Sequence, residues 1–185
     1  MIKGEQGGLK EDFQVKKITF ILGGIRSGKT HFVYQIIDKK IKHSVTYIAT
    51  GLPVDKEIRQ RIKLHIESRP KNWQTIEEPL DLLKAINKTK THVVIIDCIN
   101  FWLSNLLKNK IIYKNILIKT ENLMETIRKK SIKTIIISNE VGLMLVPKNK
   151  LARKFQELLG KINQIISRYS DTVYFLVAGN PIKIK

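Results

Sequence analysis

Ile18-Thr19-Phe20-Ile21-Leu22, an apolar run of strand type, passes directly into Gly23-Gly24-Ile25-Arg26-Ser27-Gly28-Lys29-Thr30. Those eight residues match G-x-x-x-x-G-K-[ST] at every required position, with a strand before them and a helical pattern after. The glycines let the backbone wrap closely, so that successive N–H groups and the N-terminus of the next helix can surround a phosphate. Lys29 would reach the outer phosphates, and the Thr30 hydroxyl would hold Mg²⁺. The bland alternative, an ordinary glycine turn, has no need of that flanking strand and helix. The motif sets nucleoside-triphosphate binding as the expectation and leaves the reaction open.

Outward from this loop, short apolar runs alternate with longer amphipathic stretches. VTYIA at 45–49, VVIID at 93–97, TIIIS at 134–138 and TVYFLV at 172–177 join ITFIL at 18–22. Runs this short and rich in β-branched residues read as strands buried on both faces. The segments near 29–40, 55–67, 79–87, 99–129 and 149–168 fit helices. The βαβα order predicts an α/β fold of three layers, of the phosphate-loop NTPase type: a mostly parallel central sheet with helices on both faces and right-handed crossovers. Residues 1–16, with Gly4, Gly7 and Gly8 and no apolar period, read as a flexible N-terminal extension to a single catalytic domain over 17–185.

Composition narrows the partners. The 185 residues carry 34 Lys+Arg against 16 Asp+Glu, a formal charge of +18 that would suit nucleic acid, an acidic membrane or phosphorylated substrates. Yet 27 Lys occur beside 30 Ile, a paired excess that compositional bias alone produces. The lysines are scattered from Lys3 to Lys185 and are not interleaved with aromatics, so nucleic acid is not the expected partner. No apolar run approaches the roughly 18 residues of a membrane-spanning helix, and no secretory h-region opens the chain, so a soluble cytoplasmic protein is expected. Cys98 is the single cysteine, which excludes an internal disulfide and a multi-thiolate zinc site.

Two further features bear on chemistry. The strand VVIID ends at Asp97, where a carboxylate at the C-terminal edge of a parallel sheet could hold Mg²⁺ directly or through water. An Asp capping the following helix is an equal reading of that residue taken alone. Between the second and third of these strands lies Glu57 to Pro70, EIRQRIKLHIESRP. Ile58, Ile62 and Ile66 at spacing four predict an inward helix face, with Arg61 and His65 together on an adjacent one. A lone helical histidine is usually a surface or packing residue, and Arg59 and Arg61 could meet phosphate or simply be solvated.

At this point the sequence resembles the bifunctional adenosylcobinamide kinase and adenosylcobinamide-phosphate guanylyltransferase family of cobalamin biosynthesis. The resemblance rests on GGIRSGKT at 23–30, YIAT at 47–50, RIKLHIESRP followed by WQTIEE, IIDC at 95–98, SNEVGLMLVPKNKLARKFQELLGKINQ at 138–164 and the ending VAGNPIKIK. It implies two reactions at one nucleotide site. ATP or GTP would phosphorylate the aminopropanol hydroxyl of adenosylcobinamide. GMP from GTP would then be carried on a histidine to the new phosphate, giving adenosylcobinamide-GDP. The matching histidine is His65, in H-x-x-x-R-P, and a neutral imidazole is a competent nucleophile toward the α-phosphorus. The same matching lines the GTP site with Gly23 to Thr30, with Ala49, Thr50 and Gly51, with Ile66, Glu67, Ser68 and Arg69, and with Glu77 and Asp97. It gives Lys29 a catalytic role and Mg²⁺ to Thr30 and Asp97, and it implies a homotrimer. Asn139-Glu140-Val141-Gly142, after the fourth run, reads as a candidate for the corrinoid side.

Three positions depart from the family pattern. Leu64 stands where some members carry a second histidine, Ile25 where alanine is usual and Met144 where glycine is usual. A glycine at 144 would permit a positive φ or a close ligand approach, so the methionine predicts a different local turn or altered corrinoid contacts. Two alternatives stand beside the family reading: a small-molecule kinase without guanylyltransferase activity, and a basic, nucleotide-dependent nucleic-acid-binding protein.

Overall fold

A computed structural model of the chain describes residues 17–37 and 44–185. The extension expected over 1–16 and the end of the helix expected over 29–40 lie outside the described residues. Seven strands among the described residues form one sheet in the order β3-β2-β4-β5-β1-β6-β7. They are β1 (Ile18–Gly23), β2 (Val45–Ala49), β3 (Gln74–Glu77), β4 (Val93–Asp97), β5 (Lys133–Asn139), β6 (Thr172–Val177) and β7 (Asn180–Lys183). Only β7 runs antiparallel, paired with β6. The helices are α1 (Lys29–Ile36), α2 (Lys56–Glu67), α3 (Leu82–Lys88), α4 (Ile99–Lys108), α5 (Tyr113–Lys129) and α6 (Lys150–Tyr169).

Alternation along the strands divides the core into two. Phe20, Ile48, Val94, Ile96 and Ile136 turn to one face, where α3, α4, α5 and α6 cover them with Leu82, Trp102, Leu123, Met124, Leu158 and Ile162. Their neighbours Ile21, Tyr47, Ile95, Ile137 and Tyr174 turn to the other face, against Phe32, Val33 and Ile36 of α1. The period of two in strands forces this division, and the run of buried residues on both faces explains the unbroken apolar strand sequences.

Three details differ from the sequence expectation, each for a physical reason. The segment 99–129 is two helices. Lys110, at φ 56, takes the left-handed position, while Lys110 N–H donates to Leu107 O (3.0 Å) and Ile111 N–H to Leu106 O (3.1 Å). That is a Schellman ending built on lysine, so no glycine or proline marks it. The edge strands β3 and β7 are four residues each, too short and too exposed to show a pattern. Finally, the described side chains of α2 do not form the expected inward face: Ile66 is 47% exposed and Leu64 59%, Ile62 is half-buried, and no described α2 side chain joins either core. The side chains of Ile58 and Arg61 lie outside what is described.

Candidate active site

Parallel pairing brings the ends of the strands into one line. Ala49 is in register with both Glu77 and Asp97, Asp97 with Ile137, and Gly23 with both Asn139 and Leu176. The residues expected to bind nucleotide therefore share the C-terminal edge of the sheet, where α/β folds take their ligands.

The phosphate loop leaves β1 at Gly23 and enters α1 at Gly28, whose φ of 92° lies in the region that favours glycine. The loop is propped from behind by the β6–β7 turn. Gly179 N–H donates to Ser27 O at 3.0 Å, and a Cβ added at Gly28 would stand 3.1 Å from Gly179 Cα. Arg26, at φ 57, and Ile25, 71% exposed, form the outer lip, so the isoleucine is accommodated without displacing anything. Lys29 folds back on the loop, its Nζ donating to Gly24 O (2.6 Å) and Gly23 O (3.0 Å). Burial lowers the Lys29 pKa, against the raising pull of Cys98 and Asp97. Thr30 is half-buried at the start of α1.

Asp97 is half-buried and accepts a hydrogen bond from the Tyr47 hydroxyl on its Oδ2. Burial first, and then the adjacent Asp97 carboxylate, push the Tyr47 pKa well up, so this hydroxyl remains a donor. Over the Tyr47 ring sits the Arg69 guanidinium, 3.8 Å from the centroid, a separation at which the ring quadrupole attracts the cation. Trp73 stacks on Tyr47 with centroids 6.4 Å apart and meets Tyr34 of α1 edge-on at 5.3 Å. The segment that follows α2 is thus tied through Arg69 and Tyr47 to Asp97, whose charge acts on Lys29 of the phosphate loop. Arg69 Nε is buried and has no hydrogen-bond partner.

The structure places the remaining candidates as follows. His65 is exposed in the last turn of α2, and its backbone oxygen accepts from Ser68 Oγ at 3.1 Å. Glu67 and Ser68 are exposed beside it, with Glu67 in a 3.9 Å surface pair with Lys63. Glu77 is exposed at the end of β3, next to half-buried Ala49. Gly51 packs against Ile62 of α2: a Cβ there would stand 3.5 Å from the Ile62 side chain. Thr50 is fully buried, and its hydroxyl accepts from Cys98 N–H (2.8 Å) and donates to Cys98 O (2.7 Å). Its hydroxyl therefore fixes the backbone after Asp97. Cys98, whose thiol pKa is raised by burial and by Asp97, is inert packing.

Sequence reasoning missed Tyr47, Trp73 and Gly179. Tyr47 sits within an apolar strand and reads as core, and only its pairing opposite Asp97 reveals a polar duty. Among the described residues no group of three or more His, Cys, Asp or Glu could hold a metal ion, and no helix is long and apolar enough to cross a membrane.

A sequence profile described as cobinamide kinase / cobinamide phosphate guanyltransferase matches residues 19–184, from β1 through β7. The chain belongs to this family. Relatives include the bifunctional adenosylcobalamin biosynthesis protein CobU of Escherichia coli, 30% identical over 89% of this chain and 98% of its own length. A second is the bifunctional adenosylcobalamin biosynthesis protein CobP of Pseudomonas aeruginosa, 34% identical over 89% of this chain and 95% of its own. Among solved structures, the flagellar accessory protein FlaH of Methanocaldococcus jannaschii aligns over 91% of this chain and 77% of that one, at 17% identity and a TM-score of 0.46. In this cobinamide kinase / guanyltransferase family member, the positive-φ non-glycine residues described are Arg26, Lys110 and Ala178, so Met144 does not take the positive φ that a glycine there would permit.

Proposed function

We propose that this chain, acting as a single nucleotide-binding unit over 17–185, phosphorylates adenosylcobinamide with ATP or GTP and then transfers GMP from GTP to the product through a guanylyl-His65 intermediate. The observation that carries the reading is the connection, at one sheet edge, of the phosphate loop to Asp97, Tyr47 and Arg69, four residues beyond His65. A nucleotide whose outer phosphates occupy the loop needs cationic donors around its phosphates. Lys29 supplies one, and the orphaned Nε of Arg69 supplies a second.

Hard oxygen donors suit Mg²⁺, and the site offers the Thr30 hydroxyl and Asp97, whose Oδ1 is left over once Tyr47 has taken Oδ2. Bound there, Mg²⁺ would offset charge on the phosphate oxygens. In the kinase step, the acceptor hydroxyl oxygen bonds to the γ-phosphorus and gives up its proton to water, and the bond to the β-phosphate oxygen breaks, releasing the nucleoside diphosphate. Lys29 stabilises the charge that gathers on the transferring group. In the transferase step, a ring nitrogen of His65 bonds to the α-phosphorus of GTP and pyrophosphate leaves. The phosphate oxygen of the corrinoid then takes the GMP, breaking the N–P bond and restoring the imidazole. Glu77 would accept from the guanine edge, Ala49, Gly51 and Ile66 to Ser68 would line the nucleotide, and Asn139 to Gly142 would border the corrinoid. The reading places the enzyme in the cytoplasm as a homotrimer.

The test is incubation with Mg²⁺ and GTP labelled at the α-phosphate, denaturation, and mapping of the acid-labile adduct, with His65→Ala alongside. Label on the parent and none on a variant that still phosphorylates adenosylcobinamide is the expected result. A folded, GTP-binding parent that acquires no label would remove the transferase half and leave a kinase.

A further inference from the structure

The 141–151 segment carries an unusual surface. Leu143, Met144, Leu145 and Val146 follow one another in sequence with exposures of 80, 66, 94 and 75%, and Leu151 adds 66%. Isolated exposed apolar residues need no explanation, but a contiguous patch of this kind marks a binding surface. This is not a slack loop. Glu140 accepts from Gly142 N–H, Gln156 Nε2 donates to Val141 O (2.6 Å), and Arg153 donates to Pro147 O (2.9 Å) and Lys148 O (2.7 Å). Asn149 closes the segment by capping α6, accepting from Leu151 N–H at 2.8 Å and Ala152 N–H at 3.2 Å. The backbone is held at both ends while the apolar side chains are left outside the core.

Beneath this segment lies a cavity of about 560 Å³ whose walls include Leu107 of α4, Val141, Leu145, Pro147 and Phe155 of α6. Ser104, Asn149 and Gln156 add polar groups to its lining. Its volume falls within the ordinary range for small-molecule sites, and apolar walls with a few polar groups are their usual composition. The backbone joins one wall of the cavity to the phosphate loop. Glu140 N–H donates to Gly23 O at 3.2 Å, so Val141 in the cavity wall lies within about 9 Å of the loop's first residue.

We propose that this cavity and the Leu143–Val146 segment seat the corrinoid, taking the methyl-bearing edge of its macrocycle against the apolar wall and its carboxamide arms on the polar lining. The inference rests on the two-substrate reading above, which requires an acceptor site within reach of the phosphate loop. Cobinamide matches on three counts: it has a large apolar ring edge, it carries amide groups able to donate and accept, and its hydroxyl arm must enter the adjacent phosphate site. A second copy of this chain would cover the same patch, and the experiment separates the two occupants.

The experiment measures cobinamide binding by its visible absorbance, and the kinase KM for adenosylcobinamide, in the parent, Leu145→Asp, Met144→Asp and a control, Ile118→Asp, on an exposed apolar residue of α5. GTP-dependent labelling of His65 and sedimentation velocity are recorded for each. The expected result is a rise of tenfold or more in cobinamide Kd and KM for the two cavity variants, with labelling and sedimentation as in the parent and no change in the control. Unchanged cobinamide binding in variants that label normally overturns the site while leaving the two-step reading intact. A change of sedimentation coefficient accompanying the loss overturns it in favour of a contact between copies. A parent that labels His65 but binds no cobinamide overturns the inference together with the acceptor half of the reading.

Discussion

Thr50→Val replaces a hydroxyl with a methyl of nearly the same size at a position with no exposed surface, so the cost comes from hydrogen bonds alone. The two bonds to Cys98, at 2.8 and 2.7 Å, are not equivalent. Cys98 O also accepts from Trp102 N–H at 3.2 Å in the first turn of α4, so it keeps a partner and loses about 0.5–1.5 kcal/mol. Cys98 N–H is left buried without its acceptor, at about 1–3 kcal/mol. The expected total is about 1.5–4.5 kcal/mol, on the order of a 10 °C fall in Tm for a domain of this size. Urea unfolding followed by circular dichroism measures it, with Thr50→Ser as the reference that keeps the hydroxyl and loses about 1 kcal/mol for one methyl group. Because Cys98 follows Asp97 directly, the valine variant should also bind Mg²⁺–GTP more weakly than the serine variant. A valine variant within 0.5 kcal/mol of the parent would refute the bracing role of the hydroxyl.

Tyr47→Phe keeps the ring beneath Arg69 and removes the donor to Asp97. A hydrogen bond to a charged group contributes about 1.5–3 kcal/mol, so a ten- to hundredfold rise in the Mg²⁺ concentration needed for half-maximal GTP binding is expected, read by titrating Mg²⁺ at fixed nucleotide. An unchanged titration would show that Asp97 is placed without the tyrosine. At the opposite end of β1, burial pushes the Asp171 carboxyl up, but the Arg128 hydrogen bond (2.6 Å) and the Ile18 amide (2.8 Å) outweigh it and leave its pKa below the usual range. Its contribution is therefore present above about pH 4 and is lost as pH falls through the depressed value. Asp171→Asn should flatten that acid limb by up to about 1 kcal/mol, given the pair's exposure, as measured by denaturant midpoints between pH 7 and pH 2.5. A limb as steep as the parent's would assign the acid sensitivity elsewhere.

Much of this architecture is written in local patterns. The five buried parallel strands announce themselves because both faces are covered, and GGIRSGKT declares the phosphate loop because glycine, lysine and threonine each do something there that few residues can. The failures are of one kind. QTIE and NPIK become strands only through the neighbours that pair with them, the helix break at Lys110 uses a lysine where glycine would have signalled it, and Ile66 follows a helical period while facing water. The site shows the same division. Asp97, Lys29 and Thr30 are legible because position along the chain fixes them at the sheet edge. Tyr47 and Gly179 are not, since their contribution depends on pairing across β2–β4 and on the β6–β7 turn reaching back to Ser27.

The position of β1 has a consequence for how the chain is made. It lies between β5 and β6, and the hydrogen bond from Ile18 N–H reaches Asp171, 153 positions further on. Translation at about 5–20 residues per second leaves that interval open for about 8–30 s. Until β5 (Lys133–Asn139) emerges neither edge of the first apolar strand is covered, and one stays open until β6 follows, a ready template for pairing with another chain. The Gly179 prop behind Ser27 is synthesised later still, so the phosphate loop lacks that backing during this time. Newly made chains of this enzyme therefore expose a strand edge to other nascent chains until β6 emerges, and the loop gains its backing only once the chain is made through Gly179.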